Sequence, residues 1–148
     1  MPITPVLLSF EETLPPAMLN VSGHVHYTEG PGGPINLNAV QTDQAVVITY
    51  HWFQSGWLIP MIGSCQCHFE VFLERMGELE FGPIPPKVIP FTTATGNFST
   101  NVIIPAMTVP PGVYRITARF MLTANGGTAS PCVAFADLGF GNWYEGLP

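Results

Sequence analysis

Thr108-Val-Pro-Pro-Gly-Val-Tyr-Arg-Ile-Thr-Ala-Arg-Phe-Met-Leu122 is the most regular stretch of this chain, and its reading decides the fold. Pro110, Pro111 and Gly112 form a rigid turn. After it Tyr114, Ile116, Ala118, Phe120 and Leu122 alternate with Val113, Arg115, Thr117, Arg119 and Met121. A period of two predicts a β-strand with one face to a core and the other, carrying two of the chain's four basic residues, to water.

Gln44–Phe53 extends the argument. Val46, Ile48, Tyr50 and Trp52 share one parity, and Val47, Thr49, His51 and Phe53 the other. Seven of these ten residues are β-branched or aromatic, which favours a strand over a helix. Both of its faces are largely apolar. Such a strand is covered on each side by its own chain, or on one side by a partner.

The alternation recurs along the chain. Leu19, Val21, Val25 and Tyr27 alternate with Asn20, Ser22, His24 and His26 as a first hairpin arm, and Leu37–Val40 is a short edge piece. Cys65, Cys67, Phe69, Val71 and Leu73 oppose Gln66, His68, Glu70, Phe72 and Glu74. Glu78–Phe81 is a brief return, and Pro83–Pro90 can only be extended, as at a sheet edge or a crossing between sheets. Phe98, Thr100, Val102 and Ile104 form another strand. Asn125-Gly-Gly127 signals a turn across which Cys132–Leu138 pairs back, leaving Gly139–Glu145 as a flexible aromatic tail. Gly30-Pro-Gly-Gly-Pro34 is too dense in turn residues for a regular element.

Composition agrees. With 15 Gly and 16 Pro, Pro-free windows longer than 20 residues exist only at 35–59 and 61–82, so helices are disfavoured. At 148 residues one domain with a full core is expected. Seven or eight short strands in one domain predict an antiparallel two-sheet β-sandwich, with a jelly roll or small barrel as the alternative.

Pro111-Gly-Val-Tyr-Arg-Ile-Thr-Ala118 resembles the turn and penultimate strand of immunoglobulin-like sandwiches, within about residues 98–138. The resemblance implies that the Tyr114 hydroxyl ties the corner to backbone just upstream. Ile116 stands where antibody domains carry a cysteine, so the likeness is to the wide class of such sandwiches.

Charged residues make up 9% of the chain, against about 25% in ordinary globular proteins. Mean hydropathy is +0.30. No apolar run reaches the ~18 residues of a membrane span, and no secretory signal is visible at the N-terminus. A net charge of −6 with four Lys and Arg argues against nucleic acid and anionic membrane as partners, both of which require a basic stripe. A soluble chain so poor in charge is expected to hide surface against protein partners.

Candidate chemistry is thin. Cys65 and Cys67, two apart on one strand face, lie about 6.5–7 Å apart at Cα and should not bridge each other; the expectation is three reduced cysteines filling a core, and the alternative is a bridge from one of the two to Cys132. His68 points away from both cysteines, against a Cys-x-Cys-His zinc site. His24 and His26 share a strand face and would need His51 or His68 from another strand to hold a metal. Glu70, Glu74, Glu78 and Glu80 read as a solvated acidic face more readily than as an acid–base pair, and no nucleophile, zinc or phosphate-loop motif is present. Trp52, Trp57, Trp143 and Tyr144 could stack on sugars or anchor protein contacts. Asn20-Val-Ser and Asn97-Phe-Ser match the glycosylation pattern without placing the protein.

The expectation is therefore a non-catalytic module without cofactor or metal, a subunit of a homo- or hetero-oligomer. Val47, His51, Phe53, Trp57, Trp143 and Tyr144 are its interface candidates, with Trp52 inward. Carbohydrate binding is the alternative.

Overall fold

The computed structural model describes residues 5–10, 15, 17–29, 39–77, 84–124 and 129–145. Two sheets pack face to face as a β-sandwich and do not close into a barrel. The strands are β1 (Val6–Leu7), β2 (Ser9–Phe10), β3 (Asn20–Glu29), β4 (Ala39–Gln41), β5 (Val46–Ser55), β6 (Gln66–Arg75), β7 (Lys87–Pro90), β8 (Gly96–Ile104), β9 (Gly112–Thr123) and β10 (Ala129–Tyr144). A four-stranded sheet runs β1-β3-β5-β8, and a six-stranded sheet runs β2-β10-β9-β6-β7 with β4 also on β10. All pairings are antiparallel except β4 on β10.

The period-two faces fall as their sequences predict. Tyr114, Ile116, Ala118, Phe120 and Leu122 of β9 are buried, as are Val46, Ile48, Tyr50 and Trp52 of β5 and Cys67, Phe69, Val71 and Leu73 of β6. Between the sheets, Phe69 meets Tyr50 at 4.9 Å, Trp52 at 5.3 Å and Phe120 at 5.3 Å between ring centroids, in edge-on and tilted contacts that aromatic quadrupoles prefer. The Tyr50 hydroxyl donates to the Glu70 carbonyl at 2.8 Å, which ties β5 to β6 across the layers. Tyr114 donates its hydroxyl to the Pro110 carbonyl at 2.9 Å, the corner tie expected from the sequence. The proline-rich stretch ends in β7, an edge strand paired only with β6 among the described residues.

Two expectations need correcting. The first hairpin arm, β3, pairs with β5 and not with its immediate successor, because β4 between them joins the other sheet. The aromatic tail is not flexible: β10 continues to Tyr144. At its middle a register shift between Asp137 and Gly139 adds a residue, and Gly139 takes φ 82°, which glycine adopts at little cost. The Asp137 carboxylate accepts the Gly139 N–H at 3.0 Å and fixes this bulge. Beyond it β10 is held by β9 on one side and by β4 on the other, an ordering that local sequence does not encode. Gly30–Pro34, Glu78–Phe81 and the Asn125-Gly-Gly127 turn lie outside the described residues.

Candidate interaction face

The two outer faces of the sandwich differ in charge. On the six-stranded sheet the register sets Glu70 opposite Arg119 and Glu74 opposite Arg115. Arg119 forms an ion pair with Glu70 and lies over the Phe72 ring, and Arg115 pairs with Asp137 at 2.6 Å. The Arg115 hydrogen bond holds the Asp137 carboxyl below its ordinary range. Glu70 is thus paired with Arg119 and Glu74 stands opposite Arg115 in the ladder, so this face is a lattice of opposite charges among the described residues. Glu78 and Glu80 lie outside the described residues.

On the four-stranded sheet, paired residues form rows across the outer face. One row is Ser22, Phe53 and Asn97; the next is Leu7, His24, His51 and Ser99. Then come His26, Thr49 and Asn101, and finally Thr28, Val47 and Ile103. None of these residues is Asp, Glu, Lys or Arg. Leu7 is 76% exposed, Ile103 54% and Phe53 36%, so the face carries apolar side chains with no charge to keep them soluble. Glu29, the one charged residue of these strands, lies on the inward parity at the end of β3 and accepts the Gln41 N–H at 2.9 Å.

A shallow groove of about 610 Å³ follows this face, lined by His24, His51, Phe53, Asn97 and Ser99, with Gly23 and Trp52 beneath. Gly23 is required there. A Cβ at this position would stand 2.3 Å from the His51 carbonyl oxygen, so only glycine lets β3 approach β5 this closely.

Of the six interface candidates, the structure brings Val47, His51 and Phe53 together on the outer face of β5, with Trp52 inward. Trp57 is exposed beside the Ser55 end of β5, and Tyr144 is half-exposed beside Gln41, at the opposite end of the sandwich. Trp143 is a correction: it is 2% exposed and meets Tyr114 edge-on at 5.4 Å, so it is core and cannot anchor a partner. With Trp52 and Trp143 both buried, the four aromatic residues do not form one sugar-stacking platform.

The remaining candidates resolve as follows. None of Cys65, Cys67 and Cys132 is joined in a disulfide. Burial pushes the Cys67 thiol up to about 12 and Cys132 up to about 11, so both are poor nucleophiles and poor metal ligands. His68 lies on the charged face. His24 and His26 do meet His51, but the rings stack face to face. Among the described residues no group of three or more His, Cys, Asp or Glu is arranged to hold a metal. Asn20 and Asn97 are both exposed.

No known protein family and no curated protein matches this sequence. The face must be interpreted from its own chemistry.

Sequence reasoning missed Gln54. It is 1% exposed at the inward end of β5, accepts the Trp52 indole N–H at 3.0 Å and donates to the Thr92 and Ala94 carbonyls at 2.6 and 2.7 Å. Its parity with Trp52 was the available signal. This amide fixes Trp52 and the segment leading into β8, two supports of the outer face. No helix among the described residues is long and apolar enough to cross a membrane.

Proposed function

We propose that this protein is a non-catalytic, immunoglobulin-like β-sandwich subunit that associates with a second copy of itself through the outer face of its four-stranded sheet. The observation that carries the reading is the segregation of charge. All four Lys and Arg sit on or at the end of strands in the six-stranded sheet, and the four-stranded face has none of either sign among the described residues.

A second copy is the occupant that charge favours. In a two-fold contact residue i of one copy meets residue j of the other and j meets i, so each charged group on the face must find an opposite charge on the second copy or be desolvated unpaired. The chain carries a net charge of −6, and this face is where two copies can meet without that penalty. Three strands of nine or ten residues, with the two residues of β1 at their edge, present roughly 14 Å by 30 Å, on the order of 400 Å² per copy. That is about half of the roughly 800 Å² per partner of a standard interface, the size of a weak, transient contact.

Strand order supports the immunoglobulin-like part of the reading. Taking β3, β5 and β8 as strands A, B and E, and β10, β9, β6 and β7 as G, F, C and C′, the order of these strands is compatible with that class, with no strand D among the described residues. Tyr114 then stands at the start of strand F, where its bond to Pro110 is the corner tie of that class.

Light scattering at about 100 μM tests the assembly reading. The unmodified chain should be a dimer or larger, and Val47→Lys with Phe53→Lys should give a folded monomer, since two opposed lysines per copy cannot be desolvated in the contact. An unmodified chain that is monomeric at this concentration defeats the reading.

Carbohydrate binding is favoured by one observation, the groove in which the Phe53 ring and the Asn97 amide lie together. A glycan panel showing binding that Phe53→Ala abolishes would support it.

A further inference from the structure

Three imidazoles occupy the centre of the charge-free face. His24 on β3 lies directly opposite His51 on β5, and their rings stack with centroids 4.9 Å apart and planes 29° apart. His26, two residues along the same face of β3, stacks on His51 at 5.3 Å and 23°. His51 is common to both contacts, so the three rings form one cluster.

Nothing described around the cluster can neutralise a charge on it. β1 contributes Leu7 to the His24 row, and β8 contributes Ser99 and Asn101. On their own strands the neighbours across the face are Ser22, Thr28, Thr49 and Phe53. The other titratable groups of these strands are Tyr27 and Tyr50, both buried toward the core, and Glu29, which is engaged with the Gln41 N–H at the far end of β3. The Nδ1 atom of His26 is buried and has no hydrogen-bond partner, so a proton placed there would find no acceptor.

Neutral imidazoles can stack at this distance. Protonated ones place like charges about 5 Å apart with no counter-ion. In a two-fold contact the clusters of both copies are brought onto the same interface, which removes water from the charges and adds repulsion between copies.

We propose that His24, His26 and His51 form an acid-operated release for the self-association face: neutral, they belong to the contact, and protonated, they separate the copies. The proposal rests on the assembly reading above. Burial first, and then the neighbouring imidazoles, lower the basicity of His26 and His51 even in the single copy.

The sign follows from proton linkage. The state with the lower histidine pKa holds fewer protons, so it is favoured above the monomer's own values, which at His26 and His51 already lie below the ordinary 6.5, and it loses ground as pH falls below them. Association buries the rings further, so the dimer is that state relative to the monomer. A further lowering by one unit at even one imidazole weakens association by about tenfold at acid pH.

The test is sedimentation velocity over a concentration series at pH 8.0, 6.5 and 5.0, in the presence of EDTA, with the unmodified chain and the triple variant His24→Asn, His26→Asn, His51→Asn. NMR titration of the imidazole carbons in the monomeric Val47→Lys, Phe53→Lys variant accompanies it. The unmodified chain should dissociate by about tenfold or more between pH 8.0 and 5.0. The triple variant should associate at pH 8.0 and lose less than about threefold, its face being unable to take up protons. The midpoints of His26 and His51 should lie below 6.5, and His26 should rise toward that value when His51 alone becomes Asn.

Association that is unchanged from pH 8.0 to 5.0, or a triple variant that keeps the full pH dependence, overturns the release and leaves the assembly reading standing. A monomer at every pH overturns both. Independent titration of the three rings in the monomer overturns the cluster as the sensing group.

Discussion

Replacing Gln54 with Leu should cost this fold about 2–6 kcal/mol, although the new side chain is nearly the same size and more apolar. Three hydrogen bonds are lost: the Trp52 indole N–H to the amide oxygen at 3.0 Å, and the amide nitrogen to the Thr92 and Ala94 carbonyls at 2.6 and 2.7 Å. Trp52 is 6% exposed, so its N–H is left dry, and an unmet buried donor costs about 1–3 kcal/mol. Thr92 and Ala94 are exposed residues whose carbonyls can turn to water, so each contributes only the net worth of a made bond, about 0.5–1.5 kcal/mol. Because the volumes match, no cavity term is added. Urea unfolding is the assay, with the slope required to stay constant so that the midpoint alone reports stability. Gln54→Glu provides a control with a pH signature. A carboxylate facing two carbonyls is repelled, so that variant should be less stable at pH 7 than at pH 4 relative to the unmodified chain. If Gln54→Leu costs less than about 0.5 kcal/mol, the amide is not the clamp that its geometry describes.

Tyr114→Phe removes the hydroxyl that bonds Pro110 and should lower stability by about 1–3 kcal/mol; an unchanged unfolding midpoint would remove the corner tie from the account. The thiols give a reactivity order. At pH 8 in native protein Cys65, half-exposed, should react with a disulfide reagent well before Cys67 and Cys132, whose thiols burial pushes up to about 12 and about 11. After unfolding without reductant, all three should titrate, and a count of one would establish a disulfide in their place.

The strands were legible where order is local. Alternation in β5, β6, β8 and β9 assigns each side chain to a face without knowledge of the neighbouring strand, and it placed Trp52 inward and Phe53 outward correctly. It fails at β10. Gly139 and Gly141 interrupt the alternation there, and the residues that hold the strand extended come from β9 and from β4, far away in sequence. Trp143 was misassigned for the same reason, since the ring that buries it, Tyr114, lies on another strand. Gln54 was overlooked although its parity was readable, because a polar residue after an apolar run reads as the end of a strand.

The candidate face was legible only in part, because charge segregation is a property of strand order. Each strand of the four-stranded sheet carries an unremarkable outward set: serine and histidines on β3, valine and phenylalanine on β5, asparagines on β8. Only when the sheet sets these strands side by side do their sets merge into one surface without charge, while β6 and β9, adjacent in the other sheet, merge theirs into paired guanidinium and carboxylate groups. The histidines follow the same rule. His24 and His26 are two apart in sequence, but His51 reaches them because the β3–β5 register pairs it with His24, and a shift of that register by one residue would send His51 to the core. Gly23 guards that register, since any side chain there would collide with the His51 carbonyl. The glycine that lets the two strands close is therefore also what brings the three imidazoles within reach of one another.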